Sequence, residues 1–398
     1  MNIGIFSELY EGDSLGGREF IVAVLAEALW QRGDTVEFVH HKPGLSMQAI
    51  ADTFGVAPES MRLRLMPARP RASLRDFRSR QRERAEWARA LPGGYDCFVD
   101  VVHEVPARCY SPRGILIVLF PTYRAFERPR PNADAPVSPL FLLARNYWHR
   151  LNWARLMRGY QRKTSISQYV QQWTRERWRI ETDVIYPPAD EMIAPGAKEN
   201  LIFSLGRFSG ARAEWVNKRQ LEMMNAFVAL SNSRPEIHGW RYVSAGGVGT
   251  SPEEQEYFRR VQAIAQQADA EVRSALPRAE VRSLYGAASI FWHAAGFGND
   301  ERITPELSEH YGIATVDAML AGCVPVVIRK GGQPELIDHG VNGFLWDSLE
   351  ELKDYTSRLS RDADLRERMA AAARERAAQF SRERFINAFR TLIEPPRS

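Results

Sequence analysis

"SEHYGIATVDAMLAGC", residues 308–323, is the stretch on which the reading of this chain turns. From Gly312 onward Ile313, Val316, Met319 and Leu320 recur at helical spacing, and Gly322 supplies a stop. Glu309 lies in the loop ahead of that helix, and Asp317 lies about a turn and a half inside it. Spacing alone is compatible with a plain helix, Glu309 favouring the dipole and Asp317 facing water. An acid set between Val316 and Met319 fits solvation poorly. Its oxygens suit hydrogen bonds from vicinal hydroxyls, and the helix's first N–H groups, near residues 312–314, form an anion site.

Working outward, "VPVVI" (324–328) reads as a buried strand and the residues after about 348 as charged, arginine-rich helix. Upstream, "LIFSLGR" (201–207), "RYVSAG" (241–246) and "SIFWHA" (289–294) read as strands. Helices over 221–230 and 253–268 separate them. An earlier series runs "NIGIF" (2–6), a helix with Ile21, Val24, Leu25 and Leu29 on one face, "TVEFV" (35–39), "CFVDVV" (97–102) and "ILIVLF" (115–120). Strands alternating with helices imply parallel sheets covered on both faces. The Pro187-Pro188 pair marks a junction, so the expected class is α/β, with two doubly wound Rossmann-like domains facing a cleft. The expected bounds are 1–188 and 199–375, with residues 376–398 a terminal helix packing back on the first domain.

Composition agrees with a soluble globular protein: 398 residues, 44% hydrophobic and 26% charged, with a formal net charge of +4. No apolar run nears the roughly 18 residues needed to span a bilayer. No signal peptide is read in "MNIGIFSELYEG", and the three cysteines (Cys97, Cys109, Cys323) share no metal-ligand spacing. A cytoplasmic location is expected. Two stretches concentrate positive charge: residues 61–90 hold ten arginines, among them Arg78 and Arg84, and residues 141–163 carry six basic residues and no acid. A solvated or core-packing helix is the ordinary reading of each. The sharper one is a face for anionic lipid at the inner surface of a membrane, or for a phosphorylated acceptor. No nucleic-acid recognition motif accompanies the charge.

Other groups point to phosphate chemistry. Gly16 and Gly17 lie between the first strand and its helix, where backbone N–H groups can meet an anion, although a tight turn is the ordinary reading. Neither a dinucleotide fingerprint nor a P-loop occurs. Arg207 follows a strand and so projects at the carboxyl edge of the second sheet, and Lys218 opens the next helix. The two cations could clamp a diphosphate or be a surface pair.

"EHYGIATVDAMLAGCVPVV", followed by "GGQPELIDHGVNGFLW", resembles the signature of the family 4 retaining glycosyltransferases of the GT-B fold, and "GGREF", "SLGRF", "NKRQLEMMNAF" and "IYPPAD" resemble further landmarks in order. Within that family "IYPPAD" and "EHYGI" look most like mannosyltransferases that extend lipid-linked sugars. The resemblance implies that Glu309 binds hydroxyls of a donor sugar and Asp317 the ribose diol. It implies that Arg207 and Lys218 hold the diphosphate with the Gly312 and Ile313 amides, and that Gly16 and Gly17 close on it. His103, at the end of "CFVDVV", matches a cleft histidine that touches the donor sugar. The chain departs from the pattern twice: "LFPTY" lacks the histidine many members carry there, and Asp317 replaces the usual Glu.

The same resemblance implies a metal-independent, retaining transfer from a nucleoside-diphosphate sugar, with GDP-mannose first and UDP-sugars next, to a glycan or lipid-linked acceptor. The nucleotide sugar is a co-substrate and no cofactor is expected. The only Asp-x-Asp, Asp362-Ala363-Asp364, falls among charged helices, where a solvent face is the better reading. Two other classes stand beside this one. A sugar-nucleotide epimerase or hydrolase needs an acid/base constellation that does not assemble here. A non-catalytic glycan-binding relative is expected to have lost Glu309 or Lys218.

Overall fold

The computed structural model describes residues 1–13, 15–68, 86–87, 89–91, 94–126, 139–190, 193, 195–209 and 217–393. The chain divides into two compact units, Met1–Ile185 with Ile386–Ser398, and Tyr186–Phe385.

In the first unit seven strands pair side by side, all parallel, in the order β3-β2-β1-β4-β5-β6-β7. They are β1 (Asn2–Ser7), β2 (Thr35–His40), β3 (Arg62–Leu65), β4 (Cys97–Val102), β5 (Arg113–Val118), β6 (Arg162–Ser165) and β7 (Asp183–Val184). The central strands bury nearly every residue, β4 all six, as a sheet covered on both faces requires. The helices are α1 (Gly17–Gln31), α2 (Met47–Phe54), α3 (Pro139–Arg158) and α4 (Gln168–Trp178). Helix α1 buries eleven consecutive residues, Glu19 through Leu29.

The arginine stretches divide. Arg78 and Arg84 lie outside the described residues, as does most of the proline-rich loop over 127–139. Arg64 is held by the fold, donating to Tyr95 Oη at 2.9 Å and Ala90 O at 2.8 Å. In and after α3, Trp153, Met157 and Tyr160 are buried, and the Tyr160 hydroxyl donates to Asp100 Oδ2 at 2.9 Å. Arg150, Arg155, Arg158 and Arg162 stay exposed, together with Tyr147 and Leu151.

The second unit holds six parallel strands in the order β10-β9-β8-β11-β12-β13. They are β8 (Glu199–Leu205), β9 (Arg241–Gly246), β10 (Ala270–Ser274), β11 (Ala288–His293), β12 (Val324–Ile328) and β13 (Phe344–Trp346). Their helices are α5 (Gln220–Ser233), α6 (Pro252–Ala265), α7 (Arg278–Ala287), α8 (Ile313–Leu320), α9 (Gln333–Leu336), α10 (Leu349–Arg361) and α11 (Ala363–Ala377). One core runs through this unit, from Phe227 and Tyr242 past Trp292 to Val326, Trp346 and Leu359. Trp292 is fully buried, and its indole N–H donates to Thr356 Oγ1 at 3.0 Å. Asp362 caps α11 through the Leu365 amide at 2.8 Å, so the Asp-x-Asp stretch serves a helix start. The last helix is α12 (Arg382–Ile393); its residues from Ile386 on belong to the first unit, within which the Ile393 carbonyl accepts from Arg113 at 3.0 Å.

Both sheets have the doubly wound order, in which the strand sequence reverses between β1 and β4 and again between β8 and β11. Crevices at such reversals, beyond the strand carboxyl ends, are where open α/β sheets take ligands.

Candidate functional site

In the second unit β8 and β11 are parallel neighbours, so Gly206 and Arg207 just past β8 and His293 at the end of β11 share one edge of the sheet. The chain returns to that edge before α5. There Arg219 takes the left-handed conformation (φ 60°), and its amide donates to Asn217 Oδ1 at 2.7 Å. The turn lays the stem of Lys218 across Gly206, where a Cβ would stand 2.6 Å from Lys218 Cγ. Glycine is the residue that admits this approach.

Lys218 Nζ donates to Glu309 Oε2 at 2.5 Å, and His293 Nε2 lies 2.8 Å from the same oxygen. Oε1 has no partner among the described residues. Burial pushes the Glu309 carboxyl up, but Lys218 and His293 outweigh it and hold the group well below the usual carboxylate range. Burial lowers the His293 pKa, only partly offset by Glu309, so the imidazole is neutral. Lys218 uses one of its three donors here.

Backbone contacts fix the Glu309 loop. Gly331 has φ 62°, and a Cβ there would lie 2.0 Å from Glu309 O. Gly332 N donates to that carbonyl at 2.8 Å. The pair of glycines lets this loop press on residues 309–311 without side chains between. Gly312 precedes α8 with φ 113°, and a Cβ on it would meet Gln333 Nε2 at 2.8 Å. No side chain caps α8, and the amides of Gly312, Ile313 and Ala314 have no acceptor among the described residues. Open N–H groups at a helix start, beside a lysine, form an anion-binding arrangement.

Arg207 is partly buried beyond β8, its carbonyl accepting from Gln220 Nε2 at 3.1 Å. Asp317 is not turned to water. It is 4% exposed, and its Oδ1 accepts from the Asp190 amide at 3.0 Å. Burial raises its pKa to about 7. Asp190 is itself clasped by Arg278 at 2.7 Å and Arg282 at 3.1 Å. Asp317 Oδ2 has no partner among the described residues.

Gly16, Gly17 and His103 belong to the first unit. Gly16 precedes α1, but its amide already donates to Glu19 Oε2 at 3.0 Å, which puts a carboxylate at that helix start. His103 follows β4, is half-buried, and accepts through its carbonyl from Thr122 N at 2.9 Å. No group of three or more His, Cys, Asp or Glu among the described residues is arranged to hold a metal ion. No helix of the described residues is long and apolar enough to cross a membrane.

Sequence reasoning missed His293 and Gln333. The second lies within "GGQPEL" and places Nε2 3.4 Å from His293 Nδ1. The available signal was the histidine of "SIFWHA": a strand carboxyl end at a reversal point is a ligand-facing position.

Residues 191–376 match the family model described as glycosyl transferases group 1. An alpha-1,3/1,6-mannosyltransferase of Mus musculus is 26% identical over 218 residues, 52% of this chain and 48% of that protein. A GDP-Man:Man(3)GlcNAc(2)-PP-Dol alpha-1,2-mannosyltransferase of Dictyostelium discoideum is 24% identical over 224 residues, 53% of this chain and 42% of that protein. The chain spans about half the length of the curated relatives it matches. Among solved structures, sucrose-phosphate synthase of Thermosynechococcus elongatus superposes with a TM-score of 0.67 at 15% identity, covering 98% of both chains. The Anabaena protein HepE in complex with UDP and glucose gives 0.66 at 16%, also covering 98% of both. The chain's two parallel doubly wound sheets thus have the GT-B architecture of these solved structures, and its residues 191–376 carry the group 1 glycosyl transferase match.

Proposed function

We propose that this protein moves a sugar, mannose from GDP-mannose first, to a glycan or lipid-linked acceptor, with retention and without a metal ion. The observation that carries this reading is Glu309. Its carboxylate is held ionised by Lys218 and His293 beside the uncapped start of α8, with Oε1 left as an acceptor. In this reading Oε1 takes a donor-sugar hydroxyl, and the Gly312 and Ile313 amides meet the diphosphate together with Arg207 and Lys218. Asp317 Oδ2 takes a ribose hydroxyl.

Breaking the sugar–phosphate bond leaves additional negative charge on the nucleoside diphosphate. Fixed cations and amide dipoles stabilise that charge, one well-placed donor contributing roughly 3 to 4 kcal/mol. That supports a reaction with no Lewis acid. The relatives named as mannosyltransferases support the choice of sugar. Exposed Arg150, Arg155 and Arg158 beside Tyr147 and Leu151 support a peripheral contact of a cytoplasmic protein with anionic lipid.

The test is a panel of nucleotide sugars scored for release of nucleoside diphosphate, with and without lipid-linked acceptors and anionic vesicles. GDP-mannose is expected to lead. Glu309→Ala and Lys218→Ala should each lower turnover at least tenfold, Asp317→Ala should mainly raise the donor KM, and EDTA should leave the rate intact. Near-normal turnover of the Glu309 and Lys218 variants would overturn the site. Loss in EDTA reversed by a divalent ion would overturn the metal-free reaction.

A further inference from the structure

His293 and Gln333 lie outside the groups assigned above to donor, diphosphate and ribose, yet they form a chain that ends on Glu309. Gln333 is fully buried, and its Nε2 stands 3.4 Å from His293 Nδ1. His293 is 3% exposed, and its Nε2 stands 2.8 Å from Glu309 Oε2. An amide nitrogen can only donate, so Nδ1 accepts and the imidazole proton sits on Nε2, aimed at the carboxylate. With the opposite tautomer a nitrogen lone pair would face a carboxylate oxygen at that distance, which is repulsive. The price of the arrangement falls on Gln333, whose Oε1 is buried without a partner. A buried acceptor left unpaired is unfavourable. It persists here because the other end of the amide is engaged by the histidine.

The consequence for Glu309 is directional. Lys218 and His293 approach the same oxygen from different elements, one ahead of α5 and one at the end of β11. Two donors on Oε2 remove the carboxylate's freedom to rotate and leave Oε1 as the acceptor. Lysine alone, a point charge on a flexible stem, would fix the charge but not the orientation. We propose that His293 is a positioning residue for Glu309, held as the Nε2–H tautomer by Gln333, and that this pair decides which carboxylate oxygen is presented to the donor sugar. The proposal rests on the transferase reading for its kinetic consequence, but the tautomer stands on the geometry alone.

Two measurements separate the layers. In the first, ¹⁵N-histidine-labelled protein is studied by NMR without ligand, the His293 signals being assigned by their loss in His293→Gln. The wild type should show a neutral ring protonated at Nε2. Gln333→Glu, which puts an acceptor opposite Nδ1, should bring a proton there. A wild-type Nδ1–H ring, or a spectrum unmoved by Gln333→Glu, overturns the proposal whatever the enzyme turns over.

In the second, GDP release from GDP-mannose is measured for a double-mutant cycle. His293→Leu should lower kcat/KM roughly ten- to a hundredfold, the range for losing a hydrogen bond to a charged group. His293→Gln retains an N–H donor near the Nε2 position and should stay within about threefold of wild type, as a restored bond requires. In the Glu309→Ala background, His293→Leu should add nothing further, because its partner is already gone. Equal losses in His293→Leu and His293→Gln, or full additivity with Glu309→Ala, would make His293 a packing residue and overturn the proposal. A wild type that releases no nucleoside diphosphate from any panel member defeats the transferase reading, and the NMR result still decides the tautomer.

Discussion

Replacing Asp317 by Asn tests how this acid is held. Asp317 is 4% exposed, accepts from the Asp190 amide through Oδ1, and has its pKa raised to about 7, first by burial, with the nearby Asp190 carboxylate adding to the rise. A raised acid contributes stability that is full below its unfolded pKa and is lost as pH climbs to the folded value. At about 1.36 kcal/mol per pH unit, the loss accumulates between roughly pH 4 and pH 7 and then levels off. Asparagine keeps the oxygen that Asp190 N requires and cannot ionise. The stability of Asp317→Asn relative to wild type should therefore widen by about 2.7 kcal/mol from pH 5 to pH 8, with no further change at pH 9. For a unit of about 200 residues that is roughly 5 to 11 °C in Tm. The depressed histidines, His293 included, lose stability as pH falls, but both proteins share that loss and it cancels. The assay is a pair of melting curves across pH 5 to 9. A gap independent of pH, or a wild type that melts above Asp317→Asn at pH 8, would refute a buried neutral carboxyl.

Two further outcomes rest on particular contacts. Gly331→Ala should reduce nucleoside-diphosphate release more than tenfold, because its Cβ would sit 2.0 Å from Glu309 O and must displace the loop. Gly340→Ala, also at positive φ (81°) but with open space around it, is the control: about 1 kcal/mol of strain and near-normal turnover. Equal behaviour of the two would contradict the packing argument. Thr356→Val should lower stability by about 1 to 3 kcal/mol by orphaning the buried Trp292 indole N–H, read as a drop in Tm. An unchanged Tm would mean that the indole finds another acceptor.

Much of the fold was legible because its signals are local. Apolar runs such as "VPVVI", and "CFVDVV" with its single acid Asp100, are buried strands, as sheets covered on both faces demand. Gly312 and Gly322 bracket α8 as read, both at positive φ. The helix beyond Lys218 starts two residues later than expected, at Gln220, because the left-handed Arg219 intervenes. The charge stretch over 141–163 could not be divided from composition. Only packing separates buried Trp153 and Tyr160 from exposed Arg155 and Arg158.

The site shows the same division more sharply. Glu309, Gly312 and Asp317 fall within nine residues of one another, so a loop, a glycine and a helix suffice to place them, and the sequence alone determined that. What Glu309 touches was decided by strand order. His293 and Gln333 are forty positions apart and meet because β11 and β12 pair in parallel, which brings the end of one strand beside the loop that leaves the other. Asp317 and Asp190 are 127 positions apart, and the burial that their bond accompanies raises the pKa of Asp317 to about 7. Periodicity and spacing carry information over a few residues. Charge state, tautomer and orientation depend on distances of a few ångström between groups that only the folded sheet brings together.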